Sequence, residues 1–201
     1  MKLDPFYLIV DSADWIDRLV PLGVKLVQLR MKDSTDIELR TAIRRAKTVC
    51  SAHGCQLIIN DYWRVAIEEG CDFVHLGQED LAEADVTAIR AAGLKLGLST
   101  HDATELETAL AAAPDYVALG PVWPTILKKM KWAPQGLEKV RDWKTRVGAL
   151  PLVAIGGINI DRIDGVFAHG ADSAAVVTDI ILNADPEART REWIARTARF
   201  R

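Results

Sequence analysis

Val24-Lys25-Leu26-Val27-Gln28-Leu29-Arg30-Met31-Lys32-Asp33 is apolar at Val24, Leu26, Val27, Leu29 and Met31 and polar at every second position from Gln28 to Lys32. Residues two apart in a strand point the same way, so Gln28, Arg30 and Lys32 are expected to project to one side. A solvated edge strand shows the same alternation. The apolar Val24, Leu26, Val27 and Leu29 favour a buried strand instead. An amide, a guanidinium and an ammonium at the end of such a strand suit a polyanion such as a diphosphate.

The run Lys25–Met31 is one of eight. Its companions are Phe6–Val10, Gln56–Asn60, Phe73–Gly77, Lys95–Ser99, Tyr116–Gly120, Leu152–Gly156 and Ser173–Thr178. Stretches of helical period lie between them. In Asp36–Cys50, Ile37, Ala42, Ile43, Ala46 and Val49 or Cys50 form one apolar face, with Ser34 or Thr35 as the cap and Glu38 in the first turn. Thr104–Ala113, Gly136–Val147, Asp161–His169 and Pro186–Phe200 read as further helices. Near-continuous apolar strands alternating with helices imply a parallel sheet covered on its faces. Eight evenly spaced units without a linker favour a single (β/α)8 barrel domain over residues 1–201 rather than a doubly wound sheet. One connection is long, from Pro121 to Gln135, and loops of that length are usually functional.

With 201 residues the chain has room for one such barrel, and an apolar content of 49% with 26% charged residues fits a globular protein. A net charge of −3 leaves no basic footprint for nucleic acid, and no apolar run reaches membrane-span length. Cys50, Cys55 and Cys71 match no zinc or redox spacing and read as reduced thiols, so the expected compartment is the cytoplasm. No pattern in the chain specifies an oligomeric state.

Active sites of (β/α)8 barrels lie at the C-terminal strand ends. Those ends here collect Gln28, Arg30 and Lys32; Asn60 and Asp61; Gln78, Glu79 and Asp80; Ser99, Thr100 and His101; Thr125, Lys128 and Lys129; Gly156 and Gly157; and Val177 and Thr178. The ends of strands seven and eight are a common phosphate site, and Gly156-Gly157 would let an anion approach the backbone. Asp61 and Asp80 beside the cations of strand two suggest Mg²⁺ bridging carboxylates to a diphosphate. Together these imply two phosphorylated substrates. His101 reads equally as an acid–base group or a helix-start residue, His75 as a satisfied core histidine, and Trp63, Trp123 and Trp132 as packing residues by default.

Several blocks in order resemble the thiamine phosphate synthase family, in its proteobacterial form. They are Val27–Asp33, Ile58–Trp63, Val74–Leu81, Gly97–His101, Ala118–Val122, Ala133–Leu137 and Val153–Ile158. The resemblance implies a barrel enzyme that joins a pyrimidine diphosphate to a thiazole phosphate with Mg²⁺. It implies that Gln28, Leu29, Arg30, Met31 and Lys32 hold the pyrimidine diphosphate, and that Asn60 reads the pyrimidine. Asp61 and Asp80 would bind the metal, and Ser99 and Lys128 would contact the pyrimidine diphosphate. Thr125, Ile126, Leu127, Gly157, Val177 and Thr178 would hold the thiazole phosphate. Arg30, Lys32 and Lys128 would carry the charge on the leaving group. One departure is Pro124-Thr125-Ile126-Leu127-Lys128, where the family pattern is Pro-Thr-x-Thr-Lys. Two other readings stay open at this stage: a thiazole tautomerase of the same barrel type using His101, and a non-catalytic binding or regulatory homologue.

Overall fold

The computed structural model describes residues 2–125 and 132–201. Eight parallel strands close into a barrel in sequence order. They are β1 (Phe6–Val10), β2 (Leu26–Leu29), β3 (Gln56–Asn60), β4 (Phe73–Leu76), β5 (Lys95–Thr100), β6 (Tyr116–Leu119), β7 (Leu152–Ile155) and β8 (Ser173–Val176). The helices outside are α1 (Ala13–Leu19), α2 (Asp36–His53), α3 (Trp63–Glu68), α4 (Gln78–Glu83), α5 (Val86–Ala91), α6 (Ala103–Ala111), α7 (Gly136–Val147), α8 (Ile163–Ala168), α9 (Thr178–Ile181) and α10 (Pro186–Thr197).

Alternation along each strand divides the apolar side chains between two cores. Phe6, Leu8 and Val10 of β1 pack outward with the helices, as do Val27 and Leu29 of β2 and Val74 and Leu76 of β4. Tyr7, Ile9, Leu26, Ile58, Phe73, Tyr116, Ala118, Val153 and Ala175 fill the lumen. The same parity turns Gln28, Asn60, His75 and Ser99 inward, since each lies two residues from a lumen residue or pairs with a neighbour that does. The lumen is thus apolar towards the strand starts and polar towards the strand ends.

β1 and β3 match the runs expected from sequence and β5 reaches one residue further, whereas β2, β4, β6, β7 and β8 stop one or two residues short. In β2 the Arg30 N–H still donates to Val10 O at 2.8 Å, and the chain then turns away through Asp33, which has φ +57°. Arg30, Met31 and Lys32 therefore belong to the connection after β2, not to the strand. Ile37 corrects a second expectation, because it is 78% exposed. The buried face of α2 is Leu39, Ile43, Ala46 and Cys50, and a residue two before Leu39 is rotated ~200° around a helix from it.

Thr35 is the cap of α2, as one of the two candidates. Its side chain accepts from Glu38 N–H, while its own N–H donates to Glu38 Oε2 at 2.9 Å, a reciprocal capping box. Thr35→Ala is expected to lower stability by about 1 kcal/mol, read as a shift of the urea midpoint at unchanged slope.

The long connection after β6 has a closed stem. Val122 N–H donates to Ile155 O at 2.9 Å and Trp123 N–H to Gly156 O at 3.0 Å, which extends the β6–β7 ladder beyond both strands. The returning chain donates from Gln135 N–H to Pro121 O and from Gly136 N–H to Val122 O, at 2.8 and 3.0 Å. Ile126, Leu127 and Lys128 lie outside the described residues.

Candidate active site

The densest polar group joins the ends of β2, β3 and β4. Asp61 follows β3 with φ +66°, a left-handed conformation that Asp tolerates better than most side chains. Its N–H donates to His75 O at 2.9 Å, so the adjacent strand fixes the backbone that carries it. Lys32 Nζ reaches across from the β2 connection to Asp61 Oδ2 at 2.7 Å. Asp80, in the first turn of α4, has its carboxyl pushed above the ordinary range by burial and then by the neighbouring Asp61, with Lys32 opposing. Two carboxylates thus face each other beside one ammonium.

That arrangement suits a hard divalent cation. Among the described residues no group of three or more His, Cys, Asp or Glu side chains could hold a metal. Mg²⁺ does not need such a cage, because it commonly takes one or two carboxylates and completes its shell with water and substrate phosphate oxygens. Asp61 and Asp80 fit that pattern, and the unfavourable proximity that raises Asp80 is what a bound cation would relieve.

Inside the lumen, Gln28, Asn60 and His75 are buried, at 2%, 5% and 8% exposure. His75 donates or accepts through both ring nitrogens: Nδ1 lies 2.7 Å from Tyr116 Oη and Nε2 lies 2.8 Å from Ser99 Oγ. Burial pulls its pKa down to about 4, so the ring is neutral near pH 7. It is a satisfied core histidine, as expected, yet it touches a candidate site residue. Gln78, the first residue of α4, donates to Ser99 O at 2.6 Å and holds the end of β5 from behind. The His101 ring is tied by Nδ1 to Glu105 Oε2 at 2.7 Å and stacks on Trp132, with centroids 5.6 Å apart. Trp132 is therefore a packing residue here.

On the other side of the barrel mouth, Gly156 and Gly157 adopt φ values of +99° and +62°. A Cβ on Gly156 would lie 2.6 Å from Pro121 Cα, and one on Gly157 would lie 2.5 Å from Pro124 O. Close approach does require glycine here, and what approaches is the backbone of the long loop. Arg162 adds to this seam by donating to Gly157 O while its guanidinium sits 5.0 Å from the Trp123 ring centroid. Val177 and Thr178 follow β8, with Thr178 opening the short helix α9.

The candidate residues thus fall into two groups. Lys32, Asp61 and Asp80 meet directly, and Gln28, Asn60 and Ser99 share the lumen behind them. Gly157 follows β7, Val177 and Thr178 follow the adjacent β8, and Thr125 is the last described residue of the long loop before residue 132. Leu29 turns its side chain outward into the helix-facing core, so only its backbone is available to a ligand. Met31 also packs against that core. Tyr7, Tyr116 and Arg162 are functional neighbours that no sequence pattern marks. The two tyrosines sat inside apolar runs, and only strand parity could have turned them toward Gln28.

A family model described as thiamine monophosphate synthase matches residues 6–180. This chain belongs to the thiamine monophosphate synthase family. The thiamine-phosphate synthase of Rhizobium etli is 74% identical over 201 residues, covering 100% of this chain and 98% of its own. The thiamine-phosphate synthase of Neisseria meningitidis serogroup A is 48% identical over 190 residues, covering 94% of this chain and 93% of its own. Among solved structures, thiamine phosphate pyrophosphorylase from Pyrococcus furiosus superposes with a TM-score of 0.86 at 25% identity, covering 98% of this chain and 96% of its own. The segment matched to the thiamine monophosphate synthase family contains every candidate position from Gln28 to Thr178.

Proposed function

We propose that the chain is a transferase of thiamine biosynthesis. It condenses 4-amino-2-methyl-5-(diphosphooxymethyl)pyrimidine with 4-methyl-5-(2-phosphoethyl)thiazole to give thiamine phosphate and diphosphate, or with the carboxylate form of that thiazole to give the same two products and carbon dioxide. The observation that carries this reading is the 74% identity to a thiamine-phosphate synthase across the whole chain.

The site chemistry supports it. The bond between the pyrimidine methylene carbon and the diphosphate oxygen breaks with its electron pair leaving on diphosphate. The ring amino group stabilises the cation left behind, and the thiazole nitrogen lone pair forms the new C–N bond. No strong base is needed; stabilising charge on the leaving group is. Arg30, Lys32 and Lys128 are assigned to the diphosphate, and Asp61 and Asp80 to Mg²⁺, which when bound would neutralise phosphate charge. Gln28, Asn60 and Ser99 are assigned to the pyrimidine side. Gly157, Val177 and Thr178, with Thr125 to Leu127, are assigned to the thiazole phosphate, whose capture also removes an encounter cost.

The isomerase and binding-protein readings are not favoured, since the relatives above carry the synthase name and an isomerase has no use for a diphosphate site. Among the described residues no helix is long and apolar enough to cross a membrane, and the three cysteines are free thiols, which suits the proposed cytoplasmic location. The purified protein given both substrates and Mg²⁺ is expected to release one diphosphate per thiamine phosphate. Absence of diphosphate release with both substrates present overturns the assignment.

A further inference from the structure

The lumen contains an unbroken line of hydrogen bonds through three residues to which the proposed function gives no part. Gln28 Nε2 donates to Tyr7 Oη at 2.7 Å. Tyr7 and Tyr116 share a hydroxyl–hydroxyl contact of 3.0 Å, Tyr116 Oη lies 2.7 Å from His75 Nδ1, and His75 Nε2 lies 2.8 Å from Ser99 Oγ. Both tyrosines are fully buried, and burial keeps their hydroxyls protonated. The rings are also held by packing: Tyr116 stacks on His75 at a 14° interplanar angle and meets Tyr7 edge-on at 87°.

The Gln28 amide gives this line a direction. Because Gln28 donates to Tyr7 Oη, the Tyr7 hydrogen points at its other partner, Tyr116 Oη. The Tyr116 hydrogen is then directed to His75 Nδ1, which must be bare to accept it. A neutral ring with a bare Nδ1 carries its hydrogen on Nε2, and that hydrogen goes to Ser99 Oγ. The Ser99 hydroxyl hydrogen is left for an acceptor outside the line. Running the line backwards would set the Tyr7 hydrogen against the Gln28 amide hydrogens and strand a buried donor.

We propose that Tyr7, Tyr116 and His75 are positioning residues that fix Ser99 as a hydrogen-bond donor towards the pyrimidine substrate. The proposal deepens the function above and rests on its assignment of Ser99 to that substrate. It predicts that a substrate analogue offering a donor instead of an acceptor at this point is rejected.

The direct test is ring-¹⁵N spectroscopy of His75 in the substrate-free protein labelled at histidine, assigned by comparison with His75→Asn. The expected result is the Nε2–H tautomer; an Nδ1–H tautomer overturns the proposal. Tyr116→Phe keeps the ring and removes the hydroxyl. It is expected to abolish the tautomer preference and to raise KM for the pyrimidine diphosphate by about tenfold, the worth of one hydrogen bond, with KM for the thiazole phosphate unchanged. An equal rise in both constants, or no rise, also overturns it. If that variant fails to fold, the tautomer of the unmodified protein still decides. A wild-type protein without turnover would instead overturn the proposed function, whichever tautomer it holds.

Discussion

Asp80→Asn is expected to reduce diphosphate release by about a hundredfold or more while leaving the fold intact. The loss follows from removing one of the two carboxylates assigned to Mg²⁺, with the charge it would hold against the leaving diphosphate. The fold is spared because Asp80 is not the ion-pair partner of Lys32; Asp61 is, at 2.7 Å. Burial and Asp61 make the ionised Asp80 carboxylate unfavourable, so the amide removes a strained charge. The helix-start charge given up in exchange is worth only about 0.3–1 kcal/mol. Asp61→Asn is a poorer probe, since it also strips Lys32 of its partner. Magnesium titrations of turnover alongside thermal unfolding make the check: near-normal turnover with unchanged magnesium dependence removes Asp80 from the site.

Gly97→Ala is expected to be the most destabilising single-methyl change in the lumen. An added Cβ would sit 2.2 Å from Tyr116 Cζ, 2.3 Å from its Cε1 and 2.6 Å from its Oη. Tyr116 has nowhere simple to go, because its ring is packed against Phe73 at 5.6 Å, His75 at 5.5 Å and Tyr7 at 6.1 Å between centroids. Overpacking of this kind costs 1–3 kcal/mol and occasionally more, so a loss of about 3 kcal/mol is expected. For a chain of this size that is a fall in Tm of roughly 6–12 °C. A fall below about 2 °C would show that the tyrosine moves freely and that the hydrogen-bonded line is not rigid.

Much of the barrel is legible in the sequence because a strand covered on both faces must be apolar at nearly every position. Eight such runs leave few architectures open. Strand ends are less legible, since Gly77 continues β4 as extended chain and nothing in residue type marks where pairing stops. The same limit misplaced Lys32: read as the third tooth of a strand, it stands on the following connection and earns its place through Asp61. Asp61 and Asp80 were legible as strand-end carboxylates, but not the strain between them, which depends on burial. Tyr7 and Tyr116 show the opposite failure. Their type fits an apolar strand so well that sequence gives the hydroxyls no separate mark, and only register across β1, β2, β4, β5 and β6 reveals that they link Gln28, through His75, to Ser99.

The stem formed by Pro121–Pro124 lying on Gly156 and Gly157 has a bearing on how this barrel can be re-engineered. Neither partner is an independent module: two backbone bonds and the Arg162 bridge join them, and either glycine with a side chain would strike the loop. Loops exchanged among relatives to alter substrate range would have to travel as a matched pair with the glycine turn, and chimaeras that split the two should populate the failures.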